Sequence, residues 1–285
     1  MMDIKGIILD VDGVIIGEKI GFNSPHPHNE VINKLKTIKN KGIDISLCTA
    51  KPYFAIQKEI EDASLNNLHI TDGGSVIINP IDSIVESKHI LDKEQARALL
   101  NMCIENNIYV EFYTVDNYFI QKGQECEITK QHIHILQKEP IILKDLVEQS
   151  MNEEITKIMP IALNKEDIER VNNLYKELNL NLSFNWSVHP VALPLQFGIV
   201  TATGISKKQG LLTISESSNI PLENMLGVGD STSDWNFLQL CGYVAAMGNA
   251  SEDLKQLVKE KEENHYYIGE HVDKNGIIGI LDYFI

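Results

Sequence analysis

Two carboxylates two residues apart open the chain's chemistry: Asp10-Val11-Asp12-Gly13 closes an apolar run that begins at Ile4. A carboxylate at the carboxyl end of a buried strand is costly unless it is paired or bound to a cation, and Gly13 lets the backbone turn tightly around a ligand. The same residues would also serve as a loop pair capping the next helix, and the spacing alone does not decide. A second acidic cluster, Gly227-Val228-Gly229-Asp230-Ser231-Thr232-Ser233-Asp234, again stands where an apolar strand hands over to a loop. Carboxylate oxygens from two such clusters on one rim suit Mg²⁺, which is usually held by one or two carboxylates plus substrate phosphate. The other reading is a helix N-cap by Ser231 or Asp234. Ser206-Lys207-Lys208-Gln209 has the spacing of a capping box, which puts two lysines in a first helical turn where the helix dipole disfavours cations. Either an anion lies nearby or both are solvated surface residues. The pairs His26/His28 and His132/His134 sit two apart, on one face if their segments are extended, and lack an obvious third metal ligand. They read as ordinary loop or cap residues.

These clusters need a frame. The apolar runs Ile4 to Val11 and Ile43 to Cys48 read as fully buried strands, each followed by a helix, at His28 to Lys41 and Tyr53 to Ala63. Gly42 ends the first helix and Pro52 opens the second. Such alternation predicts a doubly wound parallel sheet with ligands beyond the carboxyl ends of its strands, where Asp10 and Thr49 fall. Gly73-Gly74 separates two further apolar runs as a hairpin turn would. The pattern then lapses between about Ser83 and His189 into helices at Asp92 to Asn106 and Lys165 to Leu178. Strands are expected there at Tyr109 to Thr114, Tyr118 to Gln121 and Ile155 to Leu163. From Phe197 the β-α-β rhythm is expected to return. It includes a helix at Lys207 to Ser218, strands at Met225 to Gly229 and Tyr243 to Met247, and a helix near Asp234 to Cys241. Glu252 to Asn264 reads as a charged, solvated helix. The expected α/β architecture is thus a Rossmann-like core at residues 1–82 and 190–285 with an inserted α+β cap domain at 83–189.

Composition narrows the partners. A 285-residue chain with 43% hydrophobic and 23% charged residues is globular, and a net charge of −15 argues against duplex nucleic acid or an anionic membrane as main partner. The four cysteines, Cys48, Cys103, Cys126 and Cys241, form neither a disulfide ladder nor a zinc motif. With no secretory leader or membrane-spanning stretch read at the start or elsewhere, the expected location is cytoplasmic.

Taken in chain order, four segments resemble the motifs of the haloacid dehalogenase (HAD) superfamily: Asp10-Val11-Asp12-Gly13-Val14, Leu47-Cys48-Thr49-Ala50-Lys51-Pro52, Gly204-Ile205-Ser206-Lys207, and Gly229-Asp230 through Asp234. Ala246-Met247-Gly248-Asn249-Ala250 resembles the segment that follows in Cof-like sugar-phosphate phosphatases with a large α+β (C2-type) cap. The resemblance implies Asp10 as nucleophile, Asp12 as general acid/base and Lys207 as the charge neutralising carboxylate and phosphate. Thr49, Ala50 and Ser233 would contact the substrate phosphate. Mg²⁺ would be held by Asp10, the backbone carbonyl of Asp12, and Asp230, with Asp234 supporting the metal site or Lys207 from behind. Four positions depart from the family pattern: Val14 for the usual Thr, Ala50-Lys51 for Gly-Arg, and Ser233 for Asn. Lys51 keeps the charge without the planar fork, and Ser233 reaches less far than Asn. The implied activity is Mg²⁺-dependent hydrolysis of a small phosphorylated metabolite through an aspartyl-phosphate. A phosphomutase, or a catalytically weak binding or regulatory protein on the same fold, are the alternatives.

Overall fold

The apolar run ahead of Asp10 folds as the strand Gly6–Leu9, buried at all four residues. Full burial of Ile or Leu contributes about 1.5–3 kcal/mol each, so the run belongs in the middle of a sheet covered on both faces. In the computed structural model, which describes residues 3–285, it does lie there. Met1 and Met2, where the expected core begins, fall outside the described residues. Five parallel strands stand in the order Tyr266–Ile268, Tyr243–Ala246, Met225–Gly229, Gly6–Leu9, Asp44–Leu47. Alternate residues point to opposite faces. Ile7, Leu9, Ile45, Leu47, Leu226 and Val228 pack with the helices Asn29–Asn40, Gln57–Ala63 and Ile277–Phe284. Ile8, Met225, Val244 and Ala246 pack with Lys207–Ser218, Trp235–Leu238 and Glu252–Val258.

The chain runs outward in one direction from Gly6–Leu9 to Asp44–Leu47, and in the other from Met225–Gly229 to Tyr266–Ile268. The strand order therefore reverses beside Gly6–Leu9, and at such a point the connections diverge and leave a crevice. Leu9 lies level with Val228, so Asp10 and Asp230 leave the sheet side by side. A three-stranded antiparallel sheet, His69–Thr71, Val76–Asn79 and Ile84–Lys88, follows the expected hairpin turn at Gly73-Gly74. It is tied to the core by a parallel bridge between Cys48 and Ile70.

The second large sheet has six strands, in the order Leu182–Val188, Gln196–Ala202, Lys157–Ala162, Tyr109–Tyr113, Tyr118–Gln121, Ile141–Leu143. One face carries Val110, Phe112, Phe119, Ile158 and Val200 against the helices Lys93–Glu105 and Lys165–Leu178. The other carries Tyr109, Tyr113, Tyr118, Met159, Phe197 and Ile199 toward Phe54 and Ala55 of the core. Gln196–Ala202 pairs along its length with Leu182–Val188, so the β-α-β rhythm does not return at Phe197 as expected. It returns at Lys207.

Other elements differ in extent. Tyr53–Ala55 is a 3-10 turn ahead of the helix Gln57–Ala63, and the charged run at 252–264 is helical only over Glu252–Val258. The helix Glu127–Leu136 was not legible, and it places the second histidine pair on a helix, where residues two apart face apart. His132 is buried against Glu111, its Nδ1 2.7 Å from Oε2. His28 accepts from Glu30 N–H as the N-cap of the first helix, and His26 pairs with Glu59 at 2.6 Å.

Candidate active site

The carboxyl ends of Gly6–Leu9, Asp44–Leu47 and Met225–Gly229 and the start of the helix Lys207–Ser218 converge on one cavity of about 560 Å³. Asp10, Asp12, Thr49, Ala50, Lys207, Asp230 and Ser233 all line it, while Asp234 lies buried behind. The cap closes the opposite side with Asn185, Trp186, Ser187 and Gln196.

Asp10 follows the buried strand directly and is itself only 8% exposed. Its Oδ1 accepts from Val11 N–H at 2.8 Å and from the Lys207 ammonium at 2.9 Å. Oδ2 has no hydrogen-bond partner among the described residues. Lys207 is the first residue of its helix, and only half of the expected capping box forms, Ser206 Oγ accepting from Gln209 N–H at 3.4 Å. Two carboxylates explain a cation at that unfavourable end: the ammonium also reaches Asp234 Oδ1 at 2.8 Å. Asp234 Oδ2 accepts from Asp230 N–H at 3.2 Å, Ser231 N–H at 3.1 Å and Ser231 Oγ at 3.1 Å. The capping reading of the second acidic cluster is thus met by Ser231 and Asp234. Asp234 shapes the turn and fixes Lys207, while the Asp230 carboxylate has only Asn249 Nδ2, at 3.4 Å, among the described residues.

Two glycines bring the backbone this close. At φ +78° Gly13 passes so near Asp230 that a Cβ there would lie 1.9 Å from its Oδ2. Gly74, at φ +107°, lets the hairpin turn approach the Lys207 helix, since a Cβ would stand 2.2 Å from Ser206 O. Asn249 donates to Gly13 O at 2.9 Å, and its own Oδ1 accepts from Val272 N–H at 2.9 Å, which ties the first and last loops of the rim together.

The donor set of Asp10, Asp230 and Asp234 fits a divalent cation. One oxygen of each lies within 4.8 Å of the others, all are hard donors, and the ammonium of Lys207 pairs with two of the three carboxylates, Asp10 and Asp234. Burial first, then Asp234, pushes Asp10 up to about 7 against the pull of Lys207. Burial, then Asp10 and Asp234, pushes Asp230 well above the usual carboxylate range. The cluster is short of positive charge. Because Asp234 is fully engaged, Asp10 and Asp230 are the side chains free to hold a metal.

Asp12 has different company. Its Oδ1 takes the Lys51 ammonium at 2.7 Å and His189 Nε2 at 3.0 Å. Burial alone would raise its pKa, but Lys51 first, then His189, outweigh that and hold the carboxyl well below its ordinary range. Thr49 is buried, its Oγ1 accepting from Lys51 N–H at 3.0 Å. Ala50 O accepts from Lys157 Nζ of the cap at 2.7 Å. That ammonium, wholly buried, also pairs with Asp72 at 3.1 Å and lies 3.9 Å from the centre of the Tyr113 ring. Ser233 is exposed at the rim, 2.7 Å from Ser231 Oγ. Sequence reasoning missed His189, Lys157 and Asp72. All three come from loops or the cap, where no local pattern marks them.

The model of the haloacid dehalogenase-like hydrolase family matches residues 7–281. A phosphatase of Bacillus subtilis (strain 168), YwpJ, is 26% identical over 89% of this chain and 92% of its own. The 5-amino-6-(5-phospho-D-ribitylamino)uracil phosphatase YwtE of the same organism is 21% identical over 98% and 97%. A solved sugar phosphatase of HAD subclass IIB has a similar fold, with a TM-score of 0.77 at 22% identity over 98% of both chains. The chain belongs to the haloacid dehalogenase-like hydrolase family. Within it, the protein is a phosphoric monoester hydrolase.

Proposed function

We propose that the enzyme hydrolyses a small phosphate monoester, a sugar phosphate or similar metabolite, with Mg²⁺ and through an aspartyl-phosphate at Asp10. The observation that carries this reading is the asymmetry of Asp10: Oδ1 is fixed by Val11 N–H and Lys207, and Oδ2 is left free in the cavity. A fixed carboxylate with one free oxygen is the group an in-line displacement needs. Oδ2 forms the new bond to phosphorus as the bond to the ester oxygen breaks. Lys207 neutralises charge on the carboxylate and on the phosphoryl group. Asp10, the Asp12 carbonyl and Asp230 would hold Mg²⁺, which withdraws charge from the phosphoryl oxygens.

Asp12 gives the departing oxygen its proton and then takes one from the water that hydrolyses the aspartyl-phosphate. Beside Lys51 it rests as a carboxylate; the negative charge of an arriving phosphate monoanion raises its proton affinity, and the proton it then passes to the ester oxygen is the one that the monoanion brings. Thr49, Ala50 and Ser233 would receive the phosphate. The reading extends to the division of the chain: a core of residues 3–88 and 204–285, and a cap between them. Three buried cysteine thiols and one exposed, none paired, accord with a cytoplasmic location.

The test is phosphate release from a panel of monoesters. Asp10→Asn should lose at least about 10³-fold for every ester, EDTA should stop wild-type turnover, and Mg²⁺ should restore it. An acid-quenched label on wild-type protein that hydroxylamine removes would report the acyl phosphate. Full turnover by Asp10→Asn would overturn the assignment.

A further inference from the structure

We propose that His189 is a positioning residue for Asp12, supplied by the cap. It rests on the reading of Asp12 as acid/base. His189 follows the cap strand Leu182–Val188 at its junction with the connection to Gln196–Ala202, and is 7% exposed. Its two ring nitrogens have different work. Nδ1 accepts from Val191 N–H at 3.3 Å, at the start of the 3-10 turn Pro190–Ala192. A nitrogen that accepts a backbone N–H carries no proton, so the ring is the neutral tautomer with its proton on Nε2. Nε2 therefore donates to Asp12 Oδ1, at 3.0 Å.

Lys51 meets the same oxygen at 2.7 Å. An ammonium on a flexible stem supplies charge with little directional demand, whereas a ring locked at both nitrogens supplies direction. Together they occupy Oδ1 and leave Oδ2, which has no partner among the described residues, to face the ester oxygen. The carboxylate belongs to the core and the group that orients it belongs to the cap. Proton transfer then depends on the cap sheet being seated.

The two amide replacements of histidine separate this role from a merely structural one. Asparagine places its polar atoms near Nδ1, so His189→Asn keeps the cap on Val191 and loses the donor to Asp12. Glutamine reaches as far as Nε2, so His189→Gln keeps that donor and loses the cap. Single-turnover transfer is measured with ribose 5-phosphate, whose alkoxide needs a proton to leave, and with p-nitrophenyl phosphate, which does not. General acid catalysis is worth about 10²–10⁴-fold, and misorientation should forfeit about 10- to 100-fold of it. His189→Asn should show that loss on ribose 5-phosphate and change the aryl ester by less than about two-fold, while His189→Gln recovers most of the rate. In an Asp12→Asn background, His189→Asn should add nothing. A greater loss in His189→Gln than in His189→Asn, equal on both esters, would make His189 a capping residue and overturn the proposal. So would an additive effect in the Asp12→Asn background. If Asp12→Asn itself slows both esters equally, the acid/base reading fails, and the His189 role falls with it.

Discussion

Lys51 stands where the family pattern has arginine, 6% exposed and 2.7 Å from Asp12. A planar fork would hold a carboxylate at two points, whereas an ammonium holds one oxygen, and here the second donor to that oxygen is His189. Removing the positive charge must raise the proton affinity of Asp12, since the ammonium is what overcomes burial. Asp12 acts on water as a base only when ionised, so in Lys51→Met the acid limb of the pH profile of kcat should move upward by about one unit or more, and Lys51→Arg should restore it. An unmoved limb would show that Lys51 does not govern Asp12. At this scale the sequence was informative wherever a cavity-lining residue ends an apolar strand, as at Asp10, Thr49 and Asp230, because burial and strand ends leave a local pattern. It was silent on His189, whose role depends on a partner 177 positions away.

Elements were legible in proportion to how one-sided their surroundings are. Met225–Gly229 and Lys165–Leu178 are found within the expected limits, because a doubly covered strand is uniformly apolar and a surface helix has a clear stripe. Leu182–Val188 was not legible: its residues, Leu-Ser-Phe-Asn-Trp-Ser-Val, are half-buried or exposed, with helix-facing aromatics alternating with polar residues along the cavity. Lys157, at the start of the cap strand Lys157–Ala162, carries the ion pair that joins cap to core. Burial lowers the Lys157 pKa and raises that of Asp72, and their mutual attraction does not reverse either shift. Lys157 is also the only partner of the Asp72 carboxylate among the described residues. Lys157→Met should therefore destabilise the protein by about 3–5 kcal/mol, because it strands a buried carboxylate. Adding Asp72→Asn should return at least half of that, asparagine tolerating the φ of +50° at this position. Urea titration of both variants measures this. A double variant as unstable as the sum of its singles would show that the two residues act apart.

Across the whole molecule, the doubly wound core and inserted cap were legible from the alternation of strands and helices, but the point of return was not. Gln196–Ala202 looks like a core strand because it is buried at five consecutive residues. Nothing within those seven residues says that their neighbours are Leu182–Val188 and Lys157–Ala162. Replacing residues 83–189 with a short linker should leave that strand without partners and give an aggregating protein. Replacing 89–203 should give a soluble core with native-like circular dichroism. If both deletions behave alike, the proposed division is wrong. The side-by-side exit of Asp10 and Asp230 has a further consequence in time. Gly6 pairs with Met225 across the entire cap, so the two halves of the reactive rim are brought together by one of the longest loop closures the chain makes. Contacts so distant in sequence are slow to form, because the entropy of closing the loop is lost before the contact returns anything. During synthesis Asp10 emerges well ahead of Asp230, with the whole cap between them. The cap, whose strands join near neighbours, has the means to fold in between, and it shortens the distance the late strands must search.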